Sequence, residues 1–324
     1  MPNIGMDLNR YILEEERKYP SATGSLSIAL MAIETATKII ASHVRMAGLA
    51  EIFGKAQKIN VQGEEVQKLD EFANNVLIRV LSDSGQFFAI ASEELDDVIY
   101  PDKGSEGKYV IAFDPLDGSS NIEVNVSIGT IFSIYRKNTG THEDFLQGGD
   151  KQIAAGYVIY GSSSVFAYTT GTGLNAFTLD PSVGLFLLSH KDMRIPESGK
   201  IYSVNESNSK GWDKKIRDYF DDLKDEGYTA RFSGTMVADV HRTLLKGGIF
   251  AYPADAKSKK GKLRMLYEVL PMAMIVEQAG GMSTEGKGDI LQAKPQEIHS
   301  RTPVFLGSRK EVVQFMNTQF MNAG

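Results

Sequence analysis

The apolar run Tyr109-Val110-Ile111-Ala112-Phe113 breaks off into Asp114-Pro115-Leu116-Asp117-Gly118-Ser119-Ser120-Asn121, a junction that few folds can absorb. The β-prone run predicts a buried strand, and the acids that follow place two carboxylates where a sheet opens into a loop. Pro115 restricts Asp114 to extended backbone and Gly118 permits a sharp turn, so both acids are expected to aim at one point outside the strand end. Magnesium takes oxygen ligands in near-octahedral geometry and keeps positions for water and phosphate oxygens, which suits Asp114, Asp117 and the Leu116 carbonyl. Gly118, Ser119, Ser120 and Asn121 follow as small donors whose backbone N–H groups, opening a short helix, can nest a phosphoryl group. An isolated Asp-Gly is usually a solvated turn. The whole run after an apolar strand points to a metal site.

The same layout occurs upstream, where Phe87-Phe88-Ala89-Ile90-Ala91 ends in Ser92-Glu93-Glu94. Adjacent residues at a strand end point in opposite directions, so one glutamate can face a metal while the other faces water. Paired glutamates alone are usually a solvated surface. Beside the second strand they gain weight.

Around these junctions the pattern predicts a layered α/β fold. Leu26, Leu30, Ile33, Ile40 and Val44 trace one face of a helix over residues 25–49, with Thr23 or Ser25 as cap, and a second helix is expected from about Val66 to Leu81. Strands are expected at Phe87–Ala91, Tyr109–Phe113, Ile128–Tyr135, Ile153–Tyr160, Val165–Thr170 and Leu174–Leu179. Strands in succession without helices between them argue against a βαβ repeat and for mixed sheets layered with helices. Ile201–Val204 and Ile249–Tyr252 read as strands. Trp212–Leu223, Met236–Leu245 and Leu263–Ala279 read as helices, the last interrupted or restarted at Pro271. The breaker-rich stretch Ile195-Pro196-Glu197-Ser198-Gly199 marks a boundary between residues 1–196 and 197–324.

Composition narrows the chemistry. The 324 residues include no cysteine, which excludes thiol catalysis, thiolate-bound zinc and disulfides and fits a reducing, cytoplasmic setting. Acids outnumber bases by 41 to 35, so nucleic acid is not an expected partner. The opening residues are charged throughout and no segment carries a long unbroken apolar run, so neither export nor membrane insertion is expected. His43, His142, His190, His241 and His299 are too scattered for a zinc set; His241 reads as a packing or intersubunit residue, and Trp212 as a helix-start anchor.

Together the SEE and FDPLDGSSN stretches resemble the metal site of the class I fructose-1,6-bisphosphatase family, within the lithium-sensitive, magnesium-dependent phosphatases. VSIGTIFSIYRK from Val126, RFSGTMVADVHRTL from Arg231, GGIFAYPA from Gly247 and KGKLRMLYE from Lys260 extend the resemblance over essentially the whole chain. It implies a five-layer α-β-α-β-α fold with two mixed sheets, and hydrolysis of the 1-phosphate of fructose 1,6-bisphosphate to fructose 6-phosphate and inorganic phosphate. It also implies Mg2+, with Mn2+ or Zn2+ as substitutes, bound by Glu93, Asp114, the Leu116 carbonyl, Asp117 and Glu268. Glu64 stands where the family has an aspartate ligand of a further metal. Asp70 and Glu94 correspond to the pair that handles the attacking water.

Substrate contacts implied by the resemblance are Asp117, Gly118, Ser119, Ser120, Asn205, Arg231, Met236, Tyr252, Lys262, Leu263 and Arg264. Lys262 suits the phosphate that is kept, and the basic run from Lys257 to Arg264, otherwise readable as a solvated loop, supplies it. Arg231 is expected to reach into a neighbouring subunit's site, implying a homotetramer. Phe232 and Asn208 replace tyrosines common in the family; Phe232 lacks a hydroxyl donor, and Asn208 can partly substitute. Thr23, Gly24, Lys108, Tyr109 and Arg136 match the family's allosteric AMP site, although Ser25 and Ser27 follow where Glu and Thr are common. A sedoheptulose 1,7-bisphosphatase or dual-substrate enzyme would use the same acids, and a non-catalytic sugar-phosphate sensor is the alternative outside enzymes.

Overall fold

A computed structural model describes residues 5–46 and 69–320 of the chain. Helices α1 (Leu8–Glu16), α2 (Ser25–Val44) and α3 (Leu69–Asp83) come first. Strands β1 (Phe87–Ser92), β2 (Tyr109–Asp117), β3 (Ile128–Arg136), β4 (Gln152–Tyr160), β5 (Ser164–Thr169), β6 (Asn175–Asp180) and β7 (Leu185–His190) then form one sheet in chain order. Its first pair is parallel and the rest are antiparallel, so the sheet is mixed.

The second half contributes β8 (Ile201–Ser203), α4 (Lys214–Asp225), β9 (Thr229–Ala230), α5 (Met236–Lys246), β10 (Ile249–Tyr252), β11 (Leu263–Arg264), α6 (Leu270–Gln278), β12 (Met282–Thr284), β13 (Arg301–Thr302), β14 (Val304–Gly307) and α7 (Arg309–Phe320). A second mixed sheet has the order β12-β14-β10-β8-β9, with β8 parallel to β9 and β10, and β14 antiparallel to β10 and β12. Strands β11 and β13 form a separate antiparallel pair.

Side-chain alternation along the strands sorts these elements into five layers. Ile111, Phe113, Phe132 and Ile134 face α1, α2 and α3, where Leu8, Leu30, Ile33, Ile40 and Leu77 bury against them. The opposite face, through Ile131, Ala155 and Tyr157, packs on Val237, Val240 and Leu244 of α5 and on Met272, Ile275 and Val276 of α6. Those two helices also cover Phe250, Val304 and Leu306 of the second sheet, whose outer face meets Tyr219, Phe220 and Leu223 of α4 and Val312 and Phe315 of α7. The order is therefore α-β-α-β-α, with α5 and α6 shared by both sheets.

Helix α2 is long and apolar enough to span a membrane by length and composition alone, yet half of it is buried in this core, where Lys38 also pairs with buried Glu34 at 3.0 Å. The expected helices over 25–49 and from Val66 extend in part beyond the described residues. Three expectations need correction. Helix α2 is capped by Gly24 with no side-chain hydrogen bond, not by Thr23 or Ser25. Residues Leu263–Arg264 are a strand and Met265–Val269 a single π-helical turn, so α6 proper begins at Leu270. Pro271 lies in its first turn, where a missing N–H costs little, and so marks the restart. Strand β2 also continues through both acids to Asp117 instead of ending at Phe113.

Candidate metal and phosphate site

In a regular strand, residues three apart face opposite sides, so Asp114 and Asp117 would diverge. The pairing of β2 with β3 shifts between these two residues, and this irregularity turns both carboxylates the same way. The Leu116 N–H donates to Asp114 Oδ1 at 3.0 Å, fixing the first acid. The second is fixed by the start of α5, where the Val237 N–H, one of the donors a helix leaves unpaired in its first turn, donates to Asp117 Oδ2 at 2.7 Å.

Glu268 arrives from the π-helical turn, and its Oε2 accepts from the Arg264 N–H at 2.7 Å. Carboxylate oxygens of Asp114, Asp117 and Glu268 all lie within 4.8 Å of one another, and all three side chains are buried. No lysine or arginine side chain is recorded in an ion pair with any of them among the described residues. Burial is the first cause that pushes their carboxyls up. Asp117 rises to about 7 although the Val237 and Met236 N–H groups oppose it, and Glu268 rises to about 8 with the Asp117 charge adding to burial. Asp114 is raised well above the usual carboxylate range by burial and then by Asp117, Glu268 and Glu93. Three hard oxygen donors sharing one buried space, each disfavoured as an uncompensated anion, fit a divalent cation.

Glu93 and Glu94 divide as the strand end requires. Glu93 Oε1 lies 2.5 Å from Arg264 Nε, whereas Glu94 is turned outward. The Ser92 hydroxyl donates to Asn74 Oδ1 at 2.7 Å, which ties the end of β1 to α3. Asp70 is one turn before Asn74 on that helix, and its charge, after burial and Glu93, helps raise the Glu94 carboxyl. The structure thus brings Asp70, Glu93 and Glu94 to the same end of the sheet. Glu64 lies outside the described residues.

Gly118 has φ 76°, and the 3-10 turn Ser119–Asn121 follows it. Asn121 Nδ2 donates to the Ser233 carbonyl at 3.1 Å and Thr235 Oγ1 at 2.7 Å, while Thr235 Oγ1 donates to the Ser127 carbonyl at 2.8 Å. A Cβ at position 118 would lie 2.3 Å from Thr235 Oγ1. Gly118→Ala is therefore expected to cost more than the ~1–2 kcal/mol of a left-handed backbone alone, because the Thr235–Asn121 contact must also yield. A melting temperature matching the parent's would contradict it.

Toward the second half, Asn205, Asn208 and Tyr252 line a shallow recess with Val204, Trp212 and Pro253. Lys262 is half-buried; its charge, after the Ser258 and Lys257 N–H groups, helps hold Asp255 below the usual carboxylate range. Leu263 and Arg264 pair with Thr302 and Arg301. Met236 is buried at the start of α5. Arg231 is exposed, its backbone N–H donating to the Tyr202 carbonyl at 2.9 Å, with exposed Phe232 beside it. The segment behind them is clamped by Asp239, which accepts from the Ser233 N–H and hydroxyl and pairs with Arg242 at 2.6 Å.

The other expected cluster also assembles. Lys108 Nζ donates to Thr23 Oγ1 at 3.0 Å, Gly24 caps α2 with φ 78°, and Tyr109 sits across from Arg136 in the β2–β3 ladder. His241 packs with Tyr157 through a 2.7 Å contact between Nδ1 and the phenol oxygen. Residue spacing gave no sign of the Val237 N–H, Thr235 or the Asp239–Arg242 clamp as parts of the site, because they act through backbone or through neighbours brought up by the fold.

The family model for the fructose-1-6-bisphosphatase N-terminal domain matches residues 6–191, and that for the C-terminal domain matches residues 195–320. The chain is 67% identical to a fructose-1,6-bisphosphatase class 1 of Persephonella marina, over 98% of this chain and 99% of that protein. Another such protein, from a Sulfurihydrogenibium species, is also 67% identical, over 96% of this chain and 97% of its own length. Among solved structures, the T-state of Leishmania major fructose-1,6-bisphosphatase is similar with a TM-score of 0.90 and 41% identity, covering 98% of this chain and 99% of that one.

Proposed function

The chain belongs to the fructose-1,6-bisphosphatase family, and from that premise we propose how its own residues divide the work. It is a metal-dependent phosphatase that hydrolyses fructose 1,6-bisphosphate to fructose 6-phosphate and inorganic phosphate. The convergence of Asp114, Asp117 and Glu268 in one buried space carries the assignment of the metal site.

Glu93, Asp114, Asp117, Glu268 and the Leu116 carbonyl would hold the cation, with Glu64 as a ligand of a further metal. Mg2+ suits these hard oxygens best, with Mn2+ or Zn2+ as substitutes. Once bound, the cation neutralises phosphate oxygens and acidifies water. Glu94, raised toward proton-accepting range, and Asp70 orient the attacking water and take its proton. Gly118, Ser119 and Ser120 present donors to the phosphate that leaves. Arg264, Leu263, Lys262, Tyr252, Asn205 and Met236 position the sugar and the phosphate that stays. Residues 1–196 bring most of the metal ligands and 197–324 the sugar contacts, although Glu268 crosses that division.

Arg231 completes a neighbour's site in a homotetramer, and AMP binds at Thr23, Gly24, Lys108, Tyr109 and Arg136, where the start of α2 and the two cations meet a phosphate. The family's cytosolic plant members favour a cytoplasmic setting for this chain. One phosphate-release assay tests the reading. Release from fructose 1,6-bisphosphate is expected only with divalent cation, faster than from sedoheptulose 1,7-bisphosphate, and lowered by AMP. Equal release after chelation would defeat the metal site, and indifference to millimolar AMP the allosteric one. Scattering mass below a dimer would remove the shared Arg231.

A further inference from the structure

Arg264 raises a problem that its own chain solves. A guanidinium among four acids is drawn onto them, yet a substrate phosphate needs its remaining N–H groups turned outward. Its Nε lies 2.5 Å from Glu93 Oε1 but is buried without a well-directed hydrogen bond. Its directed side-chain bond goes the other way, from Nη1 to His299 Nδ1 at 2.8 Å.

An arginine has only donors, so Nδ1 must accept, and the ring proton therefore sits on Nε2. That nitrogen faces the Asp96 carbonyl at 3.4 Å, in the loop just after Glu93 and Glu94. The ring also rests on Tyr267, with centroids 5.5 Å apart. His299 thus touches the three segments that carry Glu93, Arg264 and Glu268. A histidine on an irregular loop, outside every regular element, has no packing need to meet all three.

We propose that His299 is a positioning residue for the hydrolysis, fixing the orientation of an Arg264 guanidinium that is already paired through Nε with Glu93, so that its outer N–H groups stay open to the substrate phosphate. This inference rests on the reading of Arg264 as a phosphate-binding residue. Without the acceptor, the guanidinium is free to turn about its contact with Glu93, so substrate binding weakens. Losing a hydrogen bond to a charged group changes affinity by roughly 10-fold or more.

The test uses the full chain with His299→Ala, His299→Asn, Arg264→Ala and the His299→Ala/Arg264→Ala double variant. Readouts are KM, kcat, inorganic phosphate binding by calorimetry and Mg2+ binding without substrate. His299→Ala is expected to raise KM and weaken inorganic phosphate binding about 10-fold, with kcat changed less than about threefold. Mg2+ binding without substrate should change little, since the contact of Arg264 with Glu93 is already present in the parent. Asparagine, which keeps an acceptor near the Nδ1 position, should restore most of the loss, and His299→Ala should add little in the Arg264→Ala background. Unchanged KM in His299→Ala, or a fall in kcat and melting temperature that asparagine does not rescue, overturns the positioning role. If Arg264→Ala itself leaves KM and phosphate binding unchanged, the reading of Arg264 fails instead.

Discussion

Asp117→Asn is expected to lose phosphate release by roughly 1,000-fold or more, since a metal-ligating carboxylate supplies several kcal/mol of transition-state stabilisation. The fold should survive, and the cation-free variant should melt above the parent near neutral pH. Asp117 is buried among like charges, so the amide replaces an anion that burial disfavours, while the Val237 N–H keeps an oxygen to donate to. Loss of turnover together with a lower melting temperature in chelator would show that Asp117 instead stabilises the fold as an anion. Retained turnover would remove Asp117 from the site.

Cation-free protein is expected to lose stability as pH rises, opposite to the common acid-denaturation pattern. Asp117 and Glu268 have carboxyls at about 7 and about 8 in the folded chain against ordinary values of 3.8 and 4.5. The folded state therefore binds protons more tightly than the unfolded one, so the slope of unfolding free energy against pH is negative between the two sets of values. Below about pH 4 both states are protonated and there is no penalty; it grows with pH and is complete above about pH 8. Melting in chelator should fall by several degrees from about pH 5 to about pH 8.5. Added Mg2+ should reduce or reverse the fall, because protons no longer compete for the ligands. A melting temperature in chelator that is flat or rising over that interval would refute the buried, uncompensated cluster.

Much of this arrangement was legible in the chain, and the gaps have physical causes. Asp114 and Asp117 announced themselves because an apolar strand has no other reason to run into two acids and a glycine. Their convergence was misread as a loop property. It comes from a bulge inside β2, which depends on pairing with β3 that residue spacing does not reveal. Glu268 was placed by family resemblance, since nothing local distinguishes a π-helical turn from the helix it precedes. The apolar residues from Met265 to Val276 obscured the change at Leu270 in the same way, being buried whether the turn is α or π. Strands β7, β9 and β12 to β14 and helices α1 and α7 were not anticipated, their runs being short or weakly periodic. His299, one of five histidines too scattered for a zinc set, was not expected at the site because its partners lie 35 and 203 positions away.

The helical layer between the sheets has a mechanical consequence. The N-terminus of α5 grips Asp117, and the turn leading into α6 carries Glu268, so the same slab that is a floor for one sheet and a ceiling for the other also holds two jaws of the cation site. Asp114 stands on the first sheet itself, so the cation site straddles the seam between that sheet and the slab. A cation bound there rivets one layer to the next.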